Sequence, residues 1–405
     1  MVSLPVEQKH IVLGVTGSIA AYKAVEIASR LTQMGGLVDV VLTASAEKFI
    51  TPLTFQSVTG RRAYTDADLW GNEGHVTHIQ LGHYADLLVI APASAQTIAR
   101  LANGMGDNLL SVTALASHCP ILLAPAMDGG MYQNPATQAN ITTLQQRGVI
   151  FIGPACGHLA SGLEGLGRLC NPTEIIGAAR YQLSRGRKLN GKKVVVTAGG
   201  TQEAIDPVRY IGNRSSGKQG FAVAQAFLDE GADVILIAGR NDLTPPFGCS
   251  YVPVVSALDM LEATLQAVEN ADVLVMAAAV ADFRLHSPNP EKIKKDKDHL
   301  QLDLEQTTDI LKEISKIKVS KGYPHCLIGF AAESQNLLEN AALKLRQKGL
   351  DMIVANDITA TATGFEVDNN KVTLLFPDGQ ADSLPVLTKS EVAEKIVHQA
   401  CDWLK

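Results

Sequence analysis

"KKVVVTAGGTQEAIDPVRYIGNRSSGKQG", residues 192–220, decides the fold. The β-branched run Val194–Thr197 reads as a strand. Gly199 and Gly200 follow, then a polar loop that reaches Ser215, Ser216 and Gly217 where a helical pattern starts. Glycines let a backbone approach a ligand closely, and a helix N-terminus offers unpaired N–H groups and a positive dipole end. A phosphate-holding loop needs those features. A second stretch of the same build, "HIVLGVTGSIAAYK", occupies residues 10–23. Two such loops imply two nucleotide-type domains.

The surrounding pattern agrees. In the segment at 18–36, Ala24, Ile27, Ala28 and Leu31 recur at helical spacing, and Gly35 and Gly36 stop the helix. Apolar runs at 38–43, 86–92, 120–125 and 149–153 are strand candidates in the first half. Those at 233–239, 272–279, 326–332 and 352–356 repeat the theme in the second. Strands that are apolar throughout, alternating with helices, imply parallel sheets covered on both faces, an α/β class with doubly wound, Rossmann-like domains. The basic, glycine-punctuated stretch at 180–193 is the linker candidate, giving domains 1–185 and 186–405. Residues 371–387 read as a hairpin turning at Asp378-Gly379, with a last helix from about Lys389.

Composition narrows the function. A chain of 405 residues accommodates two domains, and a net charge of -6 argues against a nucleic-acid partner. The six cysteines form no CxxC pair, so neither a zinc site nor a disulfide framework is expected. Scattered thiols suit a reducing, cytoplasmic setting. No apolar run reaches the roughly 18 residues of a membrane span, and the N-terminus lacks a signal-type apolar core.

In a doubly wound sheet, ligands sit beyond the carboxyl ends of the strands. Gly14, Thr16, Gly17 and Ser18 lie at one such end; Thr43 and Ser45 at a second; Ser94, Ala95, Gln96 and Thr97 at a third; Ala126, Met127 and Asp128 at a fourth. The first loop is not GxGxxG, and taken alone it suits a ligand site and a plain strand–helix turn equally. His75, His78 and His83 cluster in "HVTHIQLGHYAD".

With "GSIAAYK", "HIQLGHYADLLVIAPAS" and "APAM" in order, residues 8–180 resemble the flavin-containing cysteine decarboxylase family. The resemblance implies a flavodoxin-like domain in which FMN oxidises a cysteinyl thiol to a thioaldehyde. That group accepts the electrons of the departing carboxylate, and reduced FMN returns the hydride. It implies that Gly17, Ser18 and Thr43 hold the FMN phosphate, that Ser94, Ala95, Gln96, Thr97 and Ala126 line the cofactor, and that His78 is the catalytic histidine. Two positions depart from the family. Asp128 stands where an Asn contacts the substrate carboxylate, and an ionised Asp repels that group unless protonated or paired. Ser161 stands where a Cys protonates the product, and Cys156, five residues earlier, is an alternative proton donor if that segment forms a flap.

In the second half, Asn213, Arg214, Ser215, Ser216 and Gly217 concentrate donors in a loop that is not a Walker A motif. Asp282 follows an apolar strand, Lys292, Lys294 and Lys295 form a run, and Lys344 and Lys348 share one helical face. Together with "GFAAE" and "KGLDMIVAND", these stretches make residues 190–405 similar to the phosphopantothenate–cysteine ligase family, which bacteria often fuse to the decarboxylase. The resemblance implies that CTP activates 4′-phosphopantothenate as an acyl-cytidylate with release of pyrophosphate, and that the cysteine amine then displaces CMP. Lysines and Mg²⁺ would stabilise the phosphate charge, with no metal ligands assigned. It places Ala278, Asp282, Lys292, Phe330, Lys344 and Lys348 against CTP, Asn213 on the acyl-cytidylate, Lys292 in catalysis, and Asp309 near the nucleotide, with Thr308 replacing the usual Pro. It also implies a homo-oligomer, trimeric through the flavin domain and dimeric through the ligase domain. Two other readings stay open: a ligase fused to a weakly active FMN-binding domain, and a non-catalytic FMN-binding scaffold.

Overall fold

The computed structural model describes residues 4–70, 76–159, 162, 164–294, 300–333, 336–357 and 369–404. The chain divides into two compact units between Ser184 and Arg185.

The first unit's strands are β1 (His10–Val15), β2 (Leu37–Leu42), β3 (Ala63–Tyr64), β4 (Leu87–Ala93), β5 (Ile121–Pro125), β6 (Ile150–Phe151), β7 (Ala155–His158) and β8 (Glu164–Arg168). Its helices are α1 (Ala21–Gln33), α2 (Pro52–Thr59), α3 (Thr77–Tyr84), α4 (Ala95–Ala102), α5 (Leu109–Ala116), α6 (Gly129–Gln133), α7 (Pro135–Gln146) and α8 (Pro172–Ser184). The main sheet has the order β3-β2-β1-β4-β5-β6 and is parallel. Without its two-residue edge strand β3, this is the flavodoxin-like order, which reverses direction between β1 and β4. The continuous apolar runs form strands because both faces are covered: all seven residues of β4 are buried. Helix α1 buries Ala24, Ile27, Ala28 and Leu31, the stripe that the spacing predicts. β6 is shorter than the 149–153 run suggests. It is an edge strand paired only through Ile150 and Phe151.

The second unit comprises β9 (Lys193–Ala198), β10 (Gln202–Ala204), β11 (Tyr210–Gly212), β12 (Asp233–Ala238), β13 (Ser250–Pro253), β14 (Val273–Met276), β15 (Phe283–Leu285), β16 (Leu304–Gln306), β17 (Cys326–Glu333), β18 (Met352–Asp357), β19 (Asn369–Asn370), β20 (Val372–Leu375), β21 (Ala381–Ser383) and β22 (Leu387–Thr388). Its helices are α9 (Lys218–Asp229), α10 (Ala257–Ala267), α11 (Ile310–Lys321), α12 (Leu337–Gln347) and α13 (Lys389–Trp403). The sheet order is β13-β12-β9-β14-β17-β18-β20-β21. The first six strands are parallel in a dinucleotide-type order, with the switch point between β9 and β14. The expected late hairpin is β20–β21, an antiparallel edge whose turn puts Gly379 at φ +90°. The core between sheet and helices includes Val195, Leu274, Leu327 and Ile353, all fully buried. No helix of the described residues is long and apolar enough to cross a membrane.

Candidate active sites

In the first unit, the loops after β1 and β4 meet at the switch point. The buried Thr16 hydroxyl donates to the Pro92 carbonyl at 2.7 Å and accepts from the Ser94 N–H at 2.9 Å. One side chain therefore fixes the spacing of both loops. Thr16→Val would keep the shape and leave the buried Pro92 carbonyl and the half-buried Ser94 N–H without this partner. We expect a loss of about 1–3 kcal/mol of stability, read as a lower denaturation midpoint of the first unit; an unchanged midpoint refutes the bridge.

Gly17 packs against Ser45, so close that a Cβ on Gly17 would lie 2.5 Å from the Ser45 Cβ. Thr43, at the end of β2, is buried, and its hydroxyl accepts from the Ala46 N–H at 3.3 Å. Gly17, Ser18 and Thr43 therefore come from adjacent strand ends. Ser94 caps α4, its hydroxyl accepting from the Thr97 N–H at 3.3 Å and lying 3.1 Å from the Thr97 hydroxyl. The two hydroxyls are engaged with each other, while Ala95 and Gln96 form the start of the helix. Ala126 is tied to β4 through its N–H to the Ala93 carbonyl at 3.1 Å.

His78 lies on α3, and its Nδ1 is buried without a hydrogen-bond partner among the described residues. A buried imidazole nitrogen without a partner is costly unless a ligand completes it. His83 instead packs against His118, ring centroids 5.2 Å apart and planes tilted by 47°. His75 lies outside the described residues.

Asp128 caps α6, accepting from the Gly130 N–H at 2.9 Å. Asn and Asp cap helices about equally well, so this departure from the family leaves the local fold intact. The hairpin β7–β8 docks beside it: the Met127 N–H donates to the Gly167 carbonyl at 3.0 Å. Cys156 is exposed on that hairpin, opposite Leu166. Ser161 lies outside the described residues. Cys170 is buried, and desolvation followed by the neighbouring Glu174 pushes its thiol up to about 11, so it stays protonated. Desolvation, then Arg168, lowers the Lys23 ammonium from its usual range.

In the second unit, a cavity of about 830 Å³ opens at the switch point. Its walls are residues 213–220, 276–283 and 306–311, with Phe330, Lys344 and Lys348 opposite. Asn213, Ala278, Asp282, Asp309, Phe330, Lys344 and Lys348 are thus brought together. Lys292 is exposed and is not among the lining residues. It follows β15, ahead of residues 295–299, which include Lys295 and lie outside the described set.

The cavity's loops are pinned from several sides. Gly200 packs so tightly that a Cβ there would lie 2.6 Å from the Asn213 carbonyl oxygen. The Asn213 side chain donates to the Val280 carbonyl at 2.8 Å. Thr197 and Thr201 hydroxyls accept from the Ala278 and Ala281 N–H groups at 3.2 and 2.9 Å, and Thr307 donates to the Ala281 carbonyl at 2.6 Å. Helix α9 begins at Gly217 with no side chain capping its first turn, an end suited to anions. Lys344 donates to the Phe330 carbonyl at 3.1 Å, and Lys348 pairs with Asp309, which also caps α11 by accepting from the Lys312 N–H at 3.1 Å.

Sequence reasoning missed part of this wall. Asn356 and Asn370 are buried, face the cavity, and each keeps an Oδ1 unpartnered among the described residues. Lys389 at the start of α13 also lines it. Asn356 carries a readable signal: it is a polar residue at the carboxyl end of an apolar parallel strand, where ligands sit.

The comparisons follow the same division. The family described as "Flavoprotein" matches residues 2–182, and "DNA/pantothenate metabolism flavoprotein C-terminal domain" matches residues 189–403. The coenzyme A biosynthesis bifunctional protein CoaBC of Bacillus subtilis (strain 168) is 43% identical over 394 residues, 96% of each chain. That of Haemophilus influenzae is 43% identical over 391 residues, again 96% of each. A crystal structure of the C-terminal domain of a coenzyme A biosynthesis bifunctional protein CoaBC is 42% identical, covering 54% of this chain and 98% of its own, with a TM-score of 0.46. With identity of this level running across both units, the chain belongs to the family of coenzyme A biosynthesis bifunctional proteins CoaBC.

Proposed function

We propose that the second unit joins 4′-phosphopantothenate to cysteine using CTP and Mg²⁺, and that the first unit decarboxylates the product with FMN, giving 4′-phosphopantetheine. The observation that carries the reading is the gathering of Asn213, Asp282, Lys344 and Lys348 around one cavity beside an uncapped helix start. Activating a carboxylate with a nucleotide builds negative charge on phosphate. Preorganised ammonium groups and helix N–H groups stabilise that charge. In this reading Asn213, whose amide is held by the Val280 carbonyl, orients the activated acyl group.

In the first unit, FMN when bound supplies hydride acceptance and return. The protein's part is to seat its phosphate at Gly17, Ser18 and Thr43 and to present His78 Nδ1, which is buried without a partner among the described residues. Asp128 is the residue at the position that meets the substrate carboxylate, and Cys156 is the candidate proton donor on the docked hairpin. Asp128 caps its helix as the family's Asn would, so no observation favours a weakened decarboxylase. Free cysteines suit a cytoplasmic setting. Exposed apolar side chains, such as Tyr22 and Leu53 in one unit and Val208 and Tyr210 in the other, suit a homo-oligomer built through each unit.

The test uses the whole chain. Pyrophosphate release should require CTP, 4′-phosphopantothenate, Mg²⁺ and cysteine for turnover, and CO₂ should appear in the same mixture. Pyrophosphate without CO₂, with the flavin spectrum unchanged, would sink the decarboxylase half; no pyrophosphate would sink the ligase half.

A further inference from the structure

A buried carboxylate lies away from the cavity wall and is not spent on any step so far described. The Asp206 side chain is fully buried. Its Oδ1 accepts from the Val208 and Arg209 N–H groups, both at 2.8 Å. Its Oδ2 accepts from the Ile293 N–H at 3.2 Å and sits 3.3 Å from the Arg209 guanidinium. Arg209 completes the contact by donating to the Ile293 carbonyl at 3.2 Å. The Asn289 N–H donates to the Ile205 carbonyl at 2.9 Å. Both backbone groups of Ile293 are therefore held by one Asp–Arg pair more than eighty residues away in sequence.

Ile293 is the neighbour of Lys292. Among the described residues, the other bond within 290–294 is local, from the Glu291 N–H to the Asn289 side chain at 3.0 Å. The loop that carries Asp206 runs on through β11 into Asn213. Burial opposes ionisation of Asp206, but its three backbone donors and Arg209 outweigh it and hold the carboxyl below its usual range. It is ionised at neutral pH.

Resting on the ligase reading above, we propose that Asp206, with Arg209, is a positioning residue for the ligase reaction: by holding the Ile293 backbone, Asp206 at the N–H and Arg209 at the carbonyl, the pair sets where Lys292 reaches. A run of lysines on an unanchored segment samples many positions, and misplacement of a reacting group by about 1 Å can cost about 10²-fold in rate. A two-point backbone hold next to the lysine removes that freedom.

The test is Asp206→Asn in the full chain. The variant keeps the shape and the two Oδ1 bonds, but its amide nitrogen cannot accept from the Ile293 N–H. Hydrogen exchange across residues 289–294 should speed up by at least about tenfold. The kcat for CTP-dependent pyrophosphate release should fall by about 10–10²-fold, with the KM for CTP changing much less. Lys292→Ala should then cost little more in the Asp206→Asn background than Asp206→Asn alone, since both act through one group. Arg209→Gln, which removes the bond to the Ile293 carbonyl, should move the same readouts in the same direction and decides the matter if Asp206→Asn fails to fold. Unchanged exchange at 289–294 overturns the proposal, as do independent, multiplying losses from Asp206→Asn and Lys292→Ala. Wild-type protein without pyrophosphate release would instead refute the ligase reading, and the exchange result would still decide whether Asp206 holds the segment.

Discussion

Replacing Lys344 and Lys348 together by alanine is expected to cut CTP-dependent pyrophosphate release by roughly 10²–10³-fold or more, while the flavin absorbance of the protein stays unchanged. Lys344 lies in the last turn of α12 and Lys348 caps its C-terminus four residues on, and both line the cavity. Lys344 is tethered to the Phe330 carbonyl, and the Lys348 side chain is only 19% exposed, so neither charge is spread through bulk water. Charge in such a place interacts more strongly with phosphate than it would on an open surface. The two sites differ in one way that sharpens the test. Lys348 is paired with Asp309 on the same wall. Removing Lys348 alone takes away a cation and also leaves a carboxylate facing the developing phosphate charge. Lys348→Ala should therefore be the more damaging single change, and Asp309→Asn should recover part of its loss. Asn caps a helix as well as Asp, so that second change leaves α11 in place. Steady-state pyrophosphate release measures all four variants. A double variant that loses less than about tenfold would remove these lysines from the chemistry.

The sheets were legible in the sequence because strands buried on both faces read as unbroken apolar runs, and β4 and β14 are buried throughout. The stripe of α1 was legible for the same reason: burial on one side only forces a period that can be read. The linker was less so. Arg180, Tyr181 and Gln182 look like connecting sequence, yet they extend α8 to Ser184, because Ala178, Ala179 and Ser184 bury one face of it. In the second cavity, Asn213, Asp282, Asp309, Lys344 and Lys348 could be named beforehand, since charge and donors after an apolar strand stand out. Thr197, Thr201 and Thr307 could not. A threonine inside or beside a strand looks the same whether it fills space or, as here, holds the 278–281 backbone. Asn370 was also hidden, because its burial depends on Gln219, which donates to the Lys389 carbonyl and accepts from Asn370 across a gap of 151 residues. Lys292 shows the reverse case. Its charge run drew notice, but charge alone does not say which way a segment is tied, and the tie is made by Asp206 and Arg209.

Gly17→Ala is expected to leave the purified protein without bound flavin. The backbone at Gly17 is not in the left-handed region, so conformational strain is not the cause. The cause is space. An added Cβ would lie 2.5 Å from the Ser45 Cβ and 3.3 Å from the Ser45 carbonyl carbon, and neither is the free end of a flexible side chain. One loop must therefore move. Thr16 ties the Gly17 side to Pro92 and Ser94, while Thr43 ties the Ser45 side through Ala46, so neither can move without breaking buried hydrogen bonds. Overpacking of this kind costs about 1–3 kcal/mol. Here the displacement falls on the loop proposed to seat the phosphate, and a phosphate site depends on the placement of its N–H groups. Flavin affinity should fall by at least about tenfold, a loss of roughly 1.4 kcal/mol, and dialysis should strip the yellow colour. Pyrophosphate release is proposed for the other unit and should persist, which separates loss of the cofactor from global unfolding. Stoichiometric flavin retained through dialysis by Gly17→Ala would show that the phosphate is not held at the end of β1, and the first site would have to be sought at another strand end.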